Sequence, residues 1–112
     1  MHEFALAQDI IETISRSIAE DLNKVIAIYI DVGEFSGVVV DSLQFGLTVT
    51  LEDKNLSHVK VNITTVSATA VCECGHEYPI KDILETCPRC QSFKRKITSG
   101  ADVIIRSIEL LE

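Results

Sequence analysis

All four cysteines of this chain fall within nineteen residues, in the run VCECGHEYPIKDILETCPRC. Cys72 and Cys74 form a C-x-C pair, twelve residues follow, and Cys87 and Cys90 form a C-x2-C pair. A segment this short cannot bury enough apolar surface to hold itself together, so something other than a hydrophobic core must stabilise it. A C-x2-C turn points two thiolates at one centre, and two such turns brought together give the tetrahedral sulfur cage that zinc accepts without strain. Four protein ligands leave no coordination position open, which makes such a site structural.

The first pair is one residue shorter than a C-x2-C knuckle. Gly75, directly after Cys74, supplies the positive-φ freedom that a tight metal-binding turn needs. His76 offers a substitute ligand, which would give a Cys3His site without Cys72. Three readings therefore stand: zinc on Cys72, Cys74, Cys87 and Cys90, zinc on three cysteines and His76, or no metal. A redox role fits less well, because reactive C-x2-C pairs sit at a helix N-terminus after a strand and carry no second cysteine pair beside them.

The remaining composition is that of a folded protein, with 46% apolar and 24% charged residues in a chain of 112. This length allows one ordinary domain, or a modest one carrying a small stapled module. The formal net charge of −7 disfavours nucleic acid as a ligand, because affinity for phosphate backbones comes from clustered Lys and Arg. The single basic cluster, Lys94 to Lys96, reads as a solvated loop or strand edge. No basic region followed by an apolar run marks a signal peptide, and no stretch reaches the length of a membrane span. The expectation is a cytoplasmic protein with no membrane partner, and in that reducing compartment the cysteines are thiolate ligands rather than disulfides.

From Phe4 to about Leu22, the residues Ala7, Ile10, Ile11, Ile14, Ile18 and Leu22 recur at three- and four-residue intervals, predicting an amphipathic helix. Glu12 and Arg16 sit four apart in the favourable order, and Glu3 lies near the positive end of the helix dipole. VIAIYIDVG then changes to strand period and ends at Gly33. Asp41 and Ser42 offer an N-cap for a second helix of about ten residues with Leu43, Leu47 and Leu51 on one face, with an extended LTVT as the alternative for its end. HVKVNITTV alternates through Val59, Val61, Ile63 and Thr65, and DVIIRSIELLE closes the chain as a strand. The order predicts an α+β fold: a small β-sheet with two helices packed on one face, plus an inserted zinc-ribbon-like four-cysteine module. The boundaries are 1–69 with 101–112 for the main domain and 70–100 for the module.

The chain opens MHE. A helix starting at residue 3 or 4 gathers the α-amine of Met1, the backbone nitrogens of His2 and Glu3, and the His2 imidazole within a few ångströms. Such an all-nitrogen set suits nickel(II) in planar geometry. The bulky His2 side chain discourages removal of Met1, and Glu3 would orient the site from outside the ligand set. Alone, a histidine at position 2 is weak evidence. The alternative is a zinc-ribbon protein-interaction adaptor with no specific nickel site.

The MHE start, the run DVGEFSGV, the module with CGHEY and CPRC, and the closing SGADVIIRSIELLE together resemble the HypA family of nickel metallochaperones, which assist nickel insertion into nickel-iron hydrogenase. The resemblance spans essentially the whole chain. It implies that His2 is a nickel ligand with Met1 and Glu3 beside it, and that Cys72, Cys74, Cys87 and Cys90 bind a structural zinc. It also implies a delivery protein rather than an enzyme, a monomer or homodimer whose partners are a HypB-type GTPase and the hydrogenase large-subunit precursor. The family's first knuckle is usually C-x2-C, where this chain has C-x-C. Some members carry acidic residues where this chain has Val38, Val39 and Val40, so no role for such acids carries over.

Overall fold

A computed structural model describes residues 2–112; Met1 lies outside the described residues. The chain runs α1 (Glu3–Ile18), a 3-10 turn (Ala19–Lys24), β1 (Val25–Gly33), α2 (Val40–Asp53), β2 (Lys60–Val66), β3 (Thr69–Cys72), β4 (Glu77–Pro79), β5 (Arg95–Ser99) and β6 (Val103–Leu110). The strands form two three-stranded sheets, ordered β2-β1-β6 and β4-β3-β5. In the first, β1 is central, parallel to β2 and antiparallel to β6. The second is wholly antiparallel and lies between β2 and β6 in the chain. This is the expected α+β class with a ribbon-like module. Its radius of gyration is 17.2 Å over 53 × 26 × 18 Å, against about 13 Å for one compact body of this length, as two small cores placed end to end require.

The first core joins Ala7, Ile10, Ile11 and Ile14 of α1 to Leu43, Leu47 and Leu51 of α2 and to Ile28, Ile30 and Val32 of β1. The predicted helical and strand periods thus place the apolar residues where they pack. The opposite face of the sheet is polar: the Tyr29 hydroxyl donates to Glu109 at 3.0 Å, and Arg106 lies 3.6 Å from Asp31 and over the Tyr29 ring. An irregularity in the β1 and β6 pairing between Val25 and Ala27 reverses the strand phase, burying Val25 and half-exposing Ile26. Among the described residues, no helix is long and apolar enough to cross a membrane.

Two helix boundaries differ from expectation. The first α-helix ends at Ile18, not Leu22: Ala19 takes φ 45° and the chain tightens into the 3-10 turn. That winding keeps Ile18 and Leu22 against the core while bringing the chain to β1. The second helix has 14 residues and starts at Val40 with no side-chain cap from Asp41 or Ser42. The carboxylate of Glu3 on α1 instead accepts a hydrogen bond from the Val39 amide at 3.1 Å, satisfying an N-terminal donor that a local cap would otherwise take. In β2, Thr65 is exposed and Val66 half-buried, so the alternation stops where the strand leaves the core.

The two sheets meet at a backbone crossing. The amides of Gly33, Glu34 and Phe35 donate to the carbonyls of Asp102, Val66 and Gly100 at 2.9, 2.9 and 2.7 Å, and Phe35 packs on the second core. A Cβ on Gly33 would lie 2.2 Å from the Gly100 carbonyl carbon and oxygen. Backbone cannot retreat as a flexible side chain does. Gly33→Ala is therefore expected to destabilise the chain by about 1–3 kcal/mol, read as a lower urea midpoint. An unchanged midpoint would show that the crossing is looser than this geometry.

Candidate metal centre

Each cysteine pair is set by its own turn. Cys72 ends β3, where its amide donates to the His76 carbonyl at 2.9 Å and its carbonyl accepts from Gly75 at 2.8 Å. Gly75 takes φ +90°, the positive-φ role expected of it. The Gly75 amide on the Cys72 carbonyl closes a turn over residues 72–75, so the C-x-C pair is carried by a tight turn at the end of the strand. Opposite, the Gln91 amide donates to the Cys87 carbonyl at 2.8 Å, and Gln91 takes φ 61°. The Arg89 amide reaches the Cys87 sulfur at 3.4 Å.

The four sulfurs of Cys72, Cys74, Cys87 and Cys90 lie within 4.8 Å of one another. Cys72 and Cys90 approach to 3.3 Å, and Cys74 and Cys87 to 3.8 Å. Zinc bonded to sulfur at about 2.3 Å in a regular tetrahedron sets its ligands about 3.8 Å apart, so the donor set fits that ion. The separations are far beyond a disulfide bond of about 2.05 Å, and all four residues are free thiols. His76 stands outside the cluster and stacks on Tyr78, ring centroids 6.1 Å apart.

Clustered thiols titrate as a set, because each new thiolate opposes the next. Burial works against ionisation of Cys87, but the amides of Cys90 and Arg89 and hydrogen bonds from Cys72 and Cys74 bring it down to about 7. The Cys74 amide favours a thiolate at Cys72, yet burial and the surrounding thiols push it up to about 12. The Ser92 amide and Cys72 favour a thiolate at Cys90, but burial and the thiols of Cys74 and Cys87 raise it overall. A cation is what would let all four ionise together.

His2 precedes α1 and its carbonyl accepts the first helical hydrogen bond, from Leu6 at 3.0 Å. Its side chain is exposed and makes no capping hydrogen bond. Amides at a helix N-terminus lack intrahelical partners, so backbone nitrogens there are free to serve a ligand. Glu3 begins the helix, and the Val39 amide holds its carboxyl below the ordinary value. The sequence reading treated Glu3 only as a neighbour of the site and missed that it ties α1 to α2, since a contact across 36 residues leaves no local signature. It also missed the cleft beside His2, lined by Phe4 and Phe45. Phe45 falls outside the phase of Leu43, Leu47 and Leu51, a signal that it faces solvent.

A family model described as "Hydrogenase/urease nickel incorporation, metallochaperone, hypA" matches residues 1–110. The chain belongs to the HypA family. Among HypA relatives, "Hydrogenase maturation factor HypA" of Francisella philomiragia is 34% identical over 109 residues, covering 96% of this chain and 97% of that protein. The protein of the same name from Desulfatibacillum aliphaticivorans is 35% identical over 116 residues, covering 100% of this chain and 88% of that one. The solution structure of the nickel metallochaperone HypA from Helicobacter pylori has the same fold, with a TM-score of 0.71 at 19% identity, covering 99% of this chain and 98% of that one. The HypA family is one of metallochaperones, so this chain is not an enzyme.

Proposed function

We propose that this chain binds nickel(II) at its N-terminus through His2 and neighbouring backbone nitrogens and delivers it during maturation of nickel-iron hydrogenase. Residues 1–69 with 101–112 form the nickel-binding unit, and residues 70–100 the zinc-binding unit. The observation that carries the reading is the exposed, unengaged His2 imidazole at the open start of α1, in a chain whose family is described by nickel incorporation. A carrier needs a site that lets go. Ligands at the start of a helix can leave the metal without unfolding the core, which begins at Ala7. Met1, the expected source of an amine donor, lies outside the described residues.

Cys72, Cys74, Cys87 and Cys90 would hold zinc, which cross-links the two turns and takes no part in nickel chemistry. The proposed partners are a HypB-type GTPase and the hydrogenase large-subunit precursor, met in the cytoplasm. The transfer itself is the test: chain loaded with one equivalent of nickel is mixed with nickel-free precursor, separated, and each fraction assayed for metal. Nickel should move to the precursor faster than an equal amount of free nickel at matched free concentration. Retention on this chain would overturn the reading.

The thiol titration gives a separate prediction. Cys72 and Cys90 are protonated at pH 7 in the metal-free protein, both lying above their ordinary values, and zinc needs them ionised. Zinc uptake should therefore release at least two protons, and affinity should fall as the pH falls because protons then compete more strongly for sulfur. Calorimetry in buffers of differing ionisation enthalpy measures the release. Uptake with no proton release would contradict this assignment of ligands.

A further inference from the structure

Beside His2, helices α1 and α2 frame an open cleft of about 490 Å³ lined by Glu3, Phe4, Asp41, Ser42, Phe45 and Gly46. Phe4 is 47% exposed and Phe45 69%. Neither ring is used by the core, whose helical contributions come from Ala7, Ile10, Ile11 and Ile14 and from Leu43, Leu47 and Leu51. Gly46 makes a bare backbone floor where the helices touch: a Cβ there would lie 3.1 Å from the Ala7 Cβ and 3.3 Å from the Phe4 Cα. Clustered aromatics around a depression are the usual anchors of protein recognition. The cleft also holds two carboxylates, Glu3 and Asp41, and no cation, and among the described residues neither acid has an ion-pair partner.

We propose that this cleft docks the protein that receives the nickel, taking an apolar side chain of that protein between Phe4 and Phe45 and a lysine or arginine against Glu3 and Asp41. The inference rests on the nickel reading of His2. Two observations select this occupant. His2 directly precedes the first lining residue, so a protein seated in the cleft has the metal's ligand beside it. Glu3 accepts from the Val39 amide, but two carboxylates with no cation among the lining residues favour a cationic partner, whereas a second copy of this chain would bring another net charge of −7, and an anionic membrane would repel the acidic chain as a whole.

Phe45→Ser tests the assignment because Phe45 is exposed and its loss leaves the core intact. Wild type and variant, each loaded with one equivalent of nickel, are mixed in parallel with nickel-free hydrogenase large-subunit precursor and with EDTA. The variant should pass nickel to the precursor about tenfold more slowly or worse, as loss of an anchoring aromatic implies, while losing it to EDTA at the wild-type rate. Equal transfer to the precursor would overturn the docking inference and leave the nickel site standing. Faster loss to EDTA would show that Phe45 supports the metal rather than the partner. A variant that abolishes a wild-type dimer but not transfer would assign the cleft to self-association. Wild type that holds no nickel, or yields none to the precursor, would remove the underlying reading and the docking inference with it.

Discussion

Cys87→Ser is expected to release the zinc and unfold residues 69–99 while the β2-β1-β6 sheet stays folded. The second core contains only Ala68, Ala70, Cys72, Tyr78, Ile80 and Cys87, with Phe35 and Ile97 packed against it. Two of those six core residues belong to the metal cluster. Its strands have four, three and five residues, too few to persist without a cross-link. Structural zinc in small finger peptides contributes on the order of 10 kcal/mol, more than this core can replace. The first core has an independent set of contacts from α1, α2 and β1, so melting should stop at the glycine crossing. Hydrogen exchange resolved by mass spectrometry, with zinc quantified on the same sample, reads both halves. Protection should vanish across 69–99 and persist in α1 and β1. Full protection in the variant would mean that the module holds itself without metal.

How far the sequence carried depended on whether the deciding contact was local. Helical and strand periods are local, and Ala7, Ile10, Ile11, Ile14, Leu43, Leu47 and Leu51 are all buried as their spacing implies. The C-x2-C turn is local as well, and its partner pair converges through the hairpin bend at Gly75. What spacing alone left open was whether the shorter C-x-C arm or His76 would reach the centre. The answer depends on β3 pairing with both β4 and β5, which sets where Cys72 ends. The start of α2 was misjudged because Asp41 and Ser42 looked like caps, while the donor at Val39 is satisfied from another helix by Glu3. The break at Ala19 follows from the distance to β1, not from residue preference, since alanine is a strong helix former. Gly33 read as a strand terminator. Its close approach to Gly100 joins positions 67 residues apart and is visible only in the fold.

His2→Ala should cost nickel affinity more than about a hundredfold, because the imidazole is the only side-chain donor in the proposed set and a lost ligand costs more than the ten- to hundredfold typical of an outer-shell change. The fold should not notice. His2 is exposed and makes no capping hydrogen bond, so the unfolding midpoint and zinc content should match the wild type. Glu3→Gln makes a useful contrast, since its carboxylate caps α2 and its loss should weaken the helix junction as well as the neighbourhood of the metal. The decisive measurement is the nickel and zinc content of desalted, tag-free protein after nickel titration, wild type beside His2→Ala. About one nickel and one zinc on the wild type, with nickel lost and zinc kept in the variant, is the result this account predicts. Equal nickel on both proteins would contradict it and leave a zinc-ribbon adaptor as the better description of the chain.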